Sequence, residues 1–215
     1  MSADPNTPQP DTAPKATPSL WTHSMQEVLD AAGARRSVPT GGSVIAVSGA
    51  FGVSLLVLAV NLTLTKKDPP AELTALNDAL RTLQRRIQAL GDADAELFAA
   101  FMKQVRSEDT PKQDEEALRQ QTREVPLQLA RELQEGLTLA GQLRPLVHAS
   151  VVSDVQAGAA ILQGALQAGL FTLAHNLAGL EPEESGEFRR QWQQLWGEQQ
   201  ATQQWLNAEA TLADA

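Results

Sequence analysis

SVPTGGSVIAVSGAFGVSLLVLAVNLTLT, residues 37–65, carries no charged side chain, and Arg35-Arg36 and Lys66-Lys67 flank it. By length alone this run could cross a bilayer. It is laced, however, with Ser43, Ser48, Gly49, Gly52, Ser54, Asn61, Thr63 and Thr65. Small residues let a helix approach its neighbours closely, and polar ones need partners that lipid does not offer. A second stretch, Val155 to Leu180, lacks Asp, Glu, Lys and Arg, and sets Gly158, Gly164, Gly169, Gln163, Gln167, His175 and Asn176 among Ala and Leu. Two such helices fit the buried centre of a water-soluble helical bundle, and this predicts no membrane partner.

The chain of 215 residues can bury a sizeable core. It has no cysteine, which excludes disulfides, thiolate metal sites and a cysteine nucleophile and fits a reducing, cytoplasmic location. Its 17 basic residues against 26 acids give a net charge of −9. Nucleic acid and anionic lipid both require a basic footprint, so neither is an expected partner. Residues 181–215 alone hold seven acids and two bases. The rest is nearly balanced and leaves room for a local anion site.

Outward from the two apolar runs, helical signals dominate. Residues 1–19 hold Pro5, Pro8, Pro10, Pro14 and Pro18 and read as a disordered leader. Ser24 to Glu27 has capping-box spacing, and Gly33 suits the end of that helix. Pro39 to Ser43 reads as a tight turn. Pro69-Pro70 opens a helix from Ala71 to about Leu90, with Leu73, Leu76, Leu80, Leu83, Ile87 and Leu90 on one face. Gly91 is expected to interrupt it before Asp92 to Val105 continues. Residues 107–113 read as a polar loop. Asp114 begins a helix to about Leu143, bent or broken near Pro126. Ser153 to Gln156 repeats the capping pattern ahead of the second uncharged helix, and a last helix from Glu183 aligns Phe188, Trp192, Leu195 and Trp196. No strand pattern occurs. The expected fold is all-α, a multihelical antiparallel bundle of about six helices.

There is no phosphate loop, GxGxxG, HExxH or GxSxG, and three scattered histidines (His23, His148, His175) argue against a zinc site. No metal is expected. Polar residues at the ends of apolar helices remain as candidates. Gly41-Gly42-Ser43 serves as a turn and cap or as an anion-binding helix start. Ser153 and Asp154 are an N-cap and a first-turn acid, or functional groups. Asp94 is an ordinary acid or a reactive one. Asn61 and Asn176 make helix-to-helix hydrogen bonds or ligand contacts. His148 reads as solvated, and His175 as a core histidine.

In order along the chain, Pro39-Thr40-Gly41-Gly42-Ser43, Ala59-Val60-Asn61-Leu62-Thr63, Asp94-Ala95-Glu96-Leu97-Phe98, Val125-Pro126-Leu127, Ser153-Asp154 and Asn176-Leu177 resemble the cyclodeaminase/cyclohydrolase family over residues 20–180. The resemblance implies an intertwined homodimer acting on tetrahydrofolate one-carbon units with no bound cofactor. It hydrates a 5,10-methenyl bridge or closes a 5-formimino group with loss of ammonia. It makes Asp94 and Asp154 the catalytic acids, and assigns folate binding to Gly41, Gly42, Ser43, Asn61, Ser153 and Asn176. Lys66, Lys67 or Arg123 would hold the glutamate tail. Residues 181–215 form an acidic helix outside the resemblance, packing on the bundle or on a dimer partner. Two departures stand out: Thr40 replaces the first of three family glycines, and Val147-His148 replaces a Gly-Asn pair. Both bear on turnover more than on fold, and the alternative they raise is a folate-binding or scaffold dimer without catalysis.

Overall fold

The computed structural model describes residues 18–34, 39–105 and 112–209. The expected leader lies almost wholly outside them. Six α-helices follow in chain order: α1 (Met25–Ala32), α2 (Gly41–Leu64), α3 (Glu72–Val105), α4 (Lys112–Leu143), α5 (Val152–Leu177) and α6 (Pro182–Glu209). No strand occurs among the described residues. Helices α2 to α5 run up and down in a closed ring, α5 returning to pack along α2, and α6 lies outside against α5 and α4.

The capping box at Ser24 is present, with the Ser24 amide donating to Glu27 Oε2 at 2.7 Å and the Glu27 amide to Ser24 Oγ at 3.2 Å. The bond from the Ser24 amide, helped by the Ser24 hydroxyl, holds the Glu27 carboxyl below its ordinary value. Ahead of α1, Asp92 accepts from the Leu20 amide and the Ser19 hydroxyl and ties the start of the described chain to α3.

Three expectations are corrected. Gly91 does not break α3. A Cβ there would lie 3.0 Å from that of Ala46, so the glycine serves close packing against α2 while the helix runs on. Helix α4 is not broken at Pro126, which lies inside it, and already includes Lys112 and Gln113, while residues 107–111 of the expected loop lie outside the described set. Ser153 is not the cap of α5. A 3-10 turn, Ala149–Val151, precedes the helix and is capped by His148, whose Nδ1 accepts from the Ser150 amide at 3.2 Å. His148 is therefore a structural cap.

The uncharged helices meet where both have lost side chains. A Cβ on Gly52 would lie 2.9 Å from the Gly158 carbonyl oxygen, and one on Gly158 would lie 2.7 Å from that of Gly52. Backbone cannot yield as a side-chain tip can. Gly52→Ala is therefore expected to lower stability by about 2 kcal/mol, overpacking outweighing the gain in helix propensity. Gly141→Ala, with open space around it, should raise stability by up to about 1 kcal/mol. Paired thermal melts of the two variants check both signs.

Helix α6 is fastened to α5 by directed bonds. Trp192 Nε1 donates to the Leu170 carbonyl at 2.8 Å, Arg189 Nη2 to that of Leu177 at 2.9 Å, and buried Gln163 Nε2 to that of Gln199 at 3.1 Å. Phe188, Trp192 and Trp196 pack against the main core, and Leu195 lies in it.

Candidate functional site

All four bundle helices contribute to a cleft of about 580 Å³ at one end of the ring. The start of α2 supplies Gly41 and Gly42, preceded by Thr40; α3 supplies Asp94, Leu97, Phe98 and Phe101. Thr122 and Pro126 come from α4, and Thr172, His175 and Asn176 from the last turns of α5. The walls are mostly apolar and aromatic, with the acid, an amide and an imidazole at the polar edge. Leu97, Phe98 and Phe101 stand three, four and seven positions after Asp94, on the same helical face.

The residues expected to form a turn begin α2 instead. Thr40 is its N-cap, with extended backbone (φ −87°, ψ 176°), and its Oγ1 accepts from the Ser43 amide at 3.2 Å. Gly41, Gly42 and Ser43 are thus the first helical residues. Ser43 is fully buried, its Oγ 3.1 Å from the Gly91 carbonyl and 3.3 Å from Asp94 Oδ2. The Thr40 hydroxyl also bonds to Asp94 Oδ2. The carboxylate lies directly over Gly42, where a Cβ would come within 2.3 Å of Asp94 Oδ1. A negative group at a helix N-terminus is favourably placed, and glycine lets it sit there.

Asn176 Nδ2 donates to the Thr122 carbonyl at 2.8 Å and links α5 to α4 across the cleft. His175, expected in the core, is exposed and lines the cleft. Arg123 is buried, its Nη2 3.4 Å from Glu116 Oε1 and its guanidinium 5.8 Å above the Phe188 ring. It is a packed cation rather than an open grip for a substrate carboxylate.

The other expected site residues lie at the opposite end. Asp154 is half-buried and Ser153 exposed in the first turn of α5. Twenty-two positions separate Asp154 from Asn176, about 33 Å along one helix. Asn61 is exposed and accepts from Asn77 Nδ2 at 3.4 Å; Lys66 and Lys67 are exposed just beyond the end of α2. One chain therefore brings Asp94, Ser43, Gly41, Gly42 and Asn176 together and leaves Asp154, Ser153, Asn61, Lys66 and Lys67 remote. A smaller cavity of about 240 Å³, lined by Trp21, Met25, Phe51 and Gln84 among others, has no carboxylate in its wall.

An all-helical bundle with a mostly apolar cleft and one carboxylate at its edge has the character of a small-molecule site. The chain belongs to the formiminotransferase-cyclodeaminase family, whose model matches residues 24–193. It is 30% identical over 165 residues to a methenyltetrahydrofolate cyclohydrolase of Methylorubrum extorquens, covering 72% of this chain and 77% of that protein. Its fold is also that of a formiminotetrahydrofolate cyclodeaminase from Thermotoga maritima, at TM-score 0.78 and 19% identity over 86% of this chain and 94% of that one.

Proposed function

We propose that this protein is a folate one-carbon enzyme that hydrates the 5,10-methenyl bridge of tetrahydrofolate, with formimino-ring closure as the related reaction of the same site. The observation that carries this reading is the Asp94 carboxylate, held by the Thr40 and Ser43 hydroxyls at the edge of the aromatic cleft. The methenyl bridge is a cationic amidine, and a fixed carboxylate beside it stabilises the cation electrostatically. Water adds to the amidine carbon and gives up a proton, for which Asp94 is the acceptor. The tetrahedral adduct then breaks its bond to N5, which takes a proton back, and the 10-formyl product remains. Formimino closure passes through the same kind of adduct and expels ammonia. Asn176 and His175 are placed to orient the ring system, and Phe98 and Phe101 to pack on it. The activity is proposed to require no cofactor besides the folate substrate. The test is the loss of methenyl absorbance with purified enzyme, in parallel with a formimino assay; no rate above buffer with either substrate defeats the reading.

A homodimer is proposed on a separate observation. The outer faces of the two apolar helices are only partly covered, with Val44, Phe51, Leu58 and Leu62 on α2 and Ile161 and Phe171 on α5 exposed, although the Phe171 ring also touches Trp196 of α6. Phe51 is 49% and Phe171 57% accessible, large apolar groups on two helices whose one acidic or basic residue besides histidine is Asp154. A second copy is the natural cover. An antiparallel pairing would set the Asp154, Asn61 and Lys66-Lys67 end of one copy beside the Asp94 end of the other, where those residues could serve its cleft. Phe51→Asp should convert the dimer to monomer in sedimentation at micromolar concentration; a wild-type monomer contradicts the pairing. Its acidic charge, with these faces covered in a dimer, supports the proposal of a cytoplasmic protein without membrane or nucleic-acid partners. Recovery in a detergent-free soluble fraction checks the absence of a membrane partner.

A further inference from the structure

Thr40 does more at the start of α2 than a cap requires. Its oxygen accepts the Ser43 amide, and its hydroxyl is bonded to Asp94 Oδ2. A hydroxyl has one hydrogen to give. The Ser43 hydroxyl also lies 3.1 Å from the Thr40 oxygen, but the charged carboxylate is the stronger acceptor for that hydrogen. Ser43 Oγ lies near the same Oδ2 but also 3.1 Å from the Gly91 carbonyl, which competes for its hydrogen. Thr40 is thus the committed donor. On the other side, the Cα of Gly42 backs Oδ1. The carboxylate is held between a threonine hydroxyl on one oxygen and the Gly42 backbone beside the other.

We propose that Thr40 is a positioning residue, fixing the Asp94 carboxylate toward the bound amidine cation. The proposal rests on the reading of Asp94 as the acid of the site. It converts a helix cap, which many side chains could supply, into a device that sets the orientation of a reacting group. Reacting geometry held in advance costs no reorganisation when charge changes.

The test separates capping from positioning. Glycine is nearly as good an N-cap as threonine, whereas valine is a poor one. Thr40→Gly is expected to lower kcat about ten- to hundredfold, the worth of a hydrogen bond to a charged group, with KM and melting temperature close to wild type. Thr40→Val should show the same loss of kcat and, in addition, a lower melting temperature. Thr40→Ser, which keeps the hydroxyl, restores kcat to within a few-fold. Crystal structures supply a readout that needs no activity: the Asp94 carboxylate turns away from its wild-type orientation in Thr40→Gly and keeps it in Thr40→Ser. A Thr40→Gly enzyme with wild-type kcat, or with Asp94 unmoved, overturns the role of Thr40 alone. A wild-type protein without folate turnover overturns the reading of the site, and the crystallographic comparison then still decides whether Thr40 orients Asp94.

Discussion

Asp94→Asn is expected to lower kcat on methenyltetrahydrofolate about a hundred- to ten-thousandfold while the melting temperature stays close to wild type. The amide has the shape of the carboxylate and can still accept from the Thr40 and Ser43 hydroxyls through its oxygen. It cannot neutralise an amidine cation or take a proton from the attacking water. Removal of an oriented acid or base costs about that range, and loss of a fixed charge in a site walled by Leu97, Phe98 and Phe101 adds to it. Steady-state absorbance kinetics on purified variant, with a thermal melt to establish folding, make the measurement. A folded Asp94→Asn protein within tenfold of wild-type kcat would remove Asp94 from the chemistry.

Gly42→Ala should reproduce most of that loss without touching any polar group. The new methyl would lie 2.3 Å from Asp94 Oδ1 and 2.5 Å from its Cγ, so the carboxylate must swing out of its cradle. Its obstacle is a rotatable side chain, and alanine gains about 1 kcal/mol of helix propensity over glycine, so the protein still folds. Activity is then lost through geometry alone, by about a hundredfold, the scale set by a misplaced reacting group. Gly41→Ala is the control, since nothing lies within 4 Å of a Cβ there. Because Gly42 and Asp94 act as one unit, the double variant should be no worse than Asp94→Asn. Additive losses would mean that Gly42 acts through something other than the carboxylate.

Much of the architecture was legible in local signals. The box at Ser24 and Glu27 marked α1, the leucine stripe from Leu73 marked α3, and the two charge-free runs marked the central helices. What local reading missed was decided by contacts between distant segments. Gly91 looks like a breaker until Ala46 is set against it, and Pro39 to Ser43 looks like a turn until Asp94 settles over Gly42. Ser153 has the spacing of a cap, but His148 five residues earlier begins the turn that feeds α5.

The site divides along the same line. Asp94 and Asn176 were candidates as polar residues on apolar helices, and only the family resemblance gave them roles, since an acid and an amide on a helix say little by themselves. Leu97, Phe98 and Phe101 were within reach of sequence, because they repeat on the Asp94 face. Thr122, Thr172 and His175 were not, as nothing local aims them at a common cleft. Thr40 was legible as a departure bearing on turnover, but not as a partner of Asp94. Its extended backbone needs no glycine, and its hydroxyl is bonded to the acid, a contact that only the fold brings about.

A crystal structure of the protein with a bound tetrahydrofolate derivative tests the assignment of the cleft most directly. The account places the pterin and its bridging nitrogens between Asp94 and Asn176, against Phe98 and Phe101, with the Asp94 carboxylate within hydrogen-bond reach of the one-carbon unit. Folate seated away from that cleft, with Asp94 facing empty solvent, would contradict it.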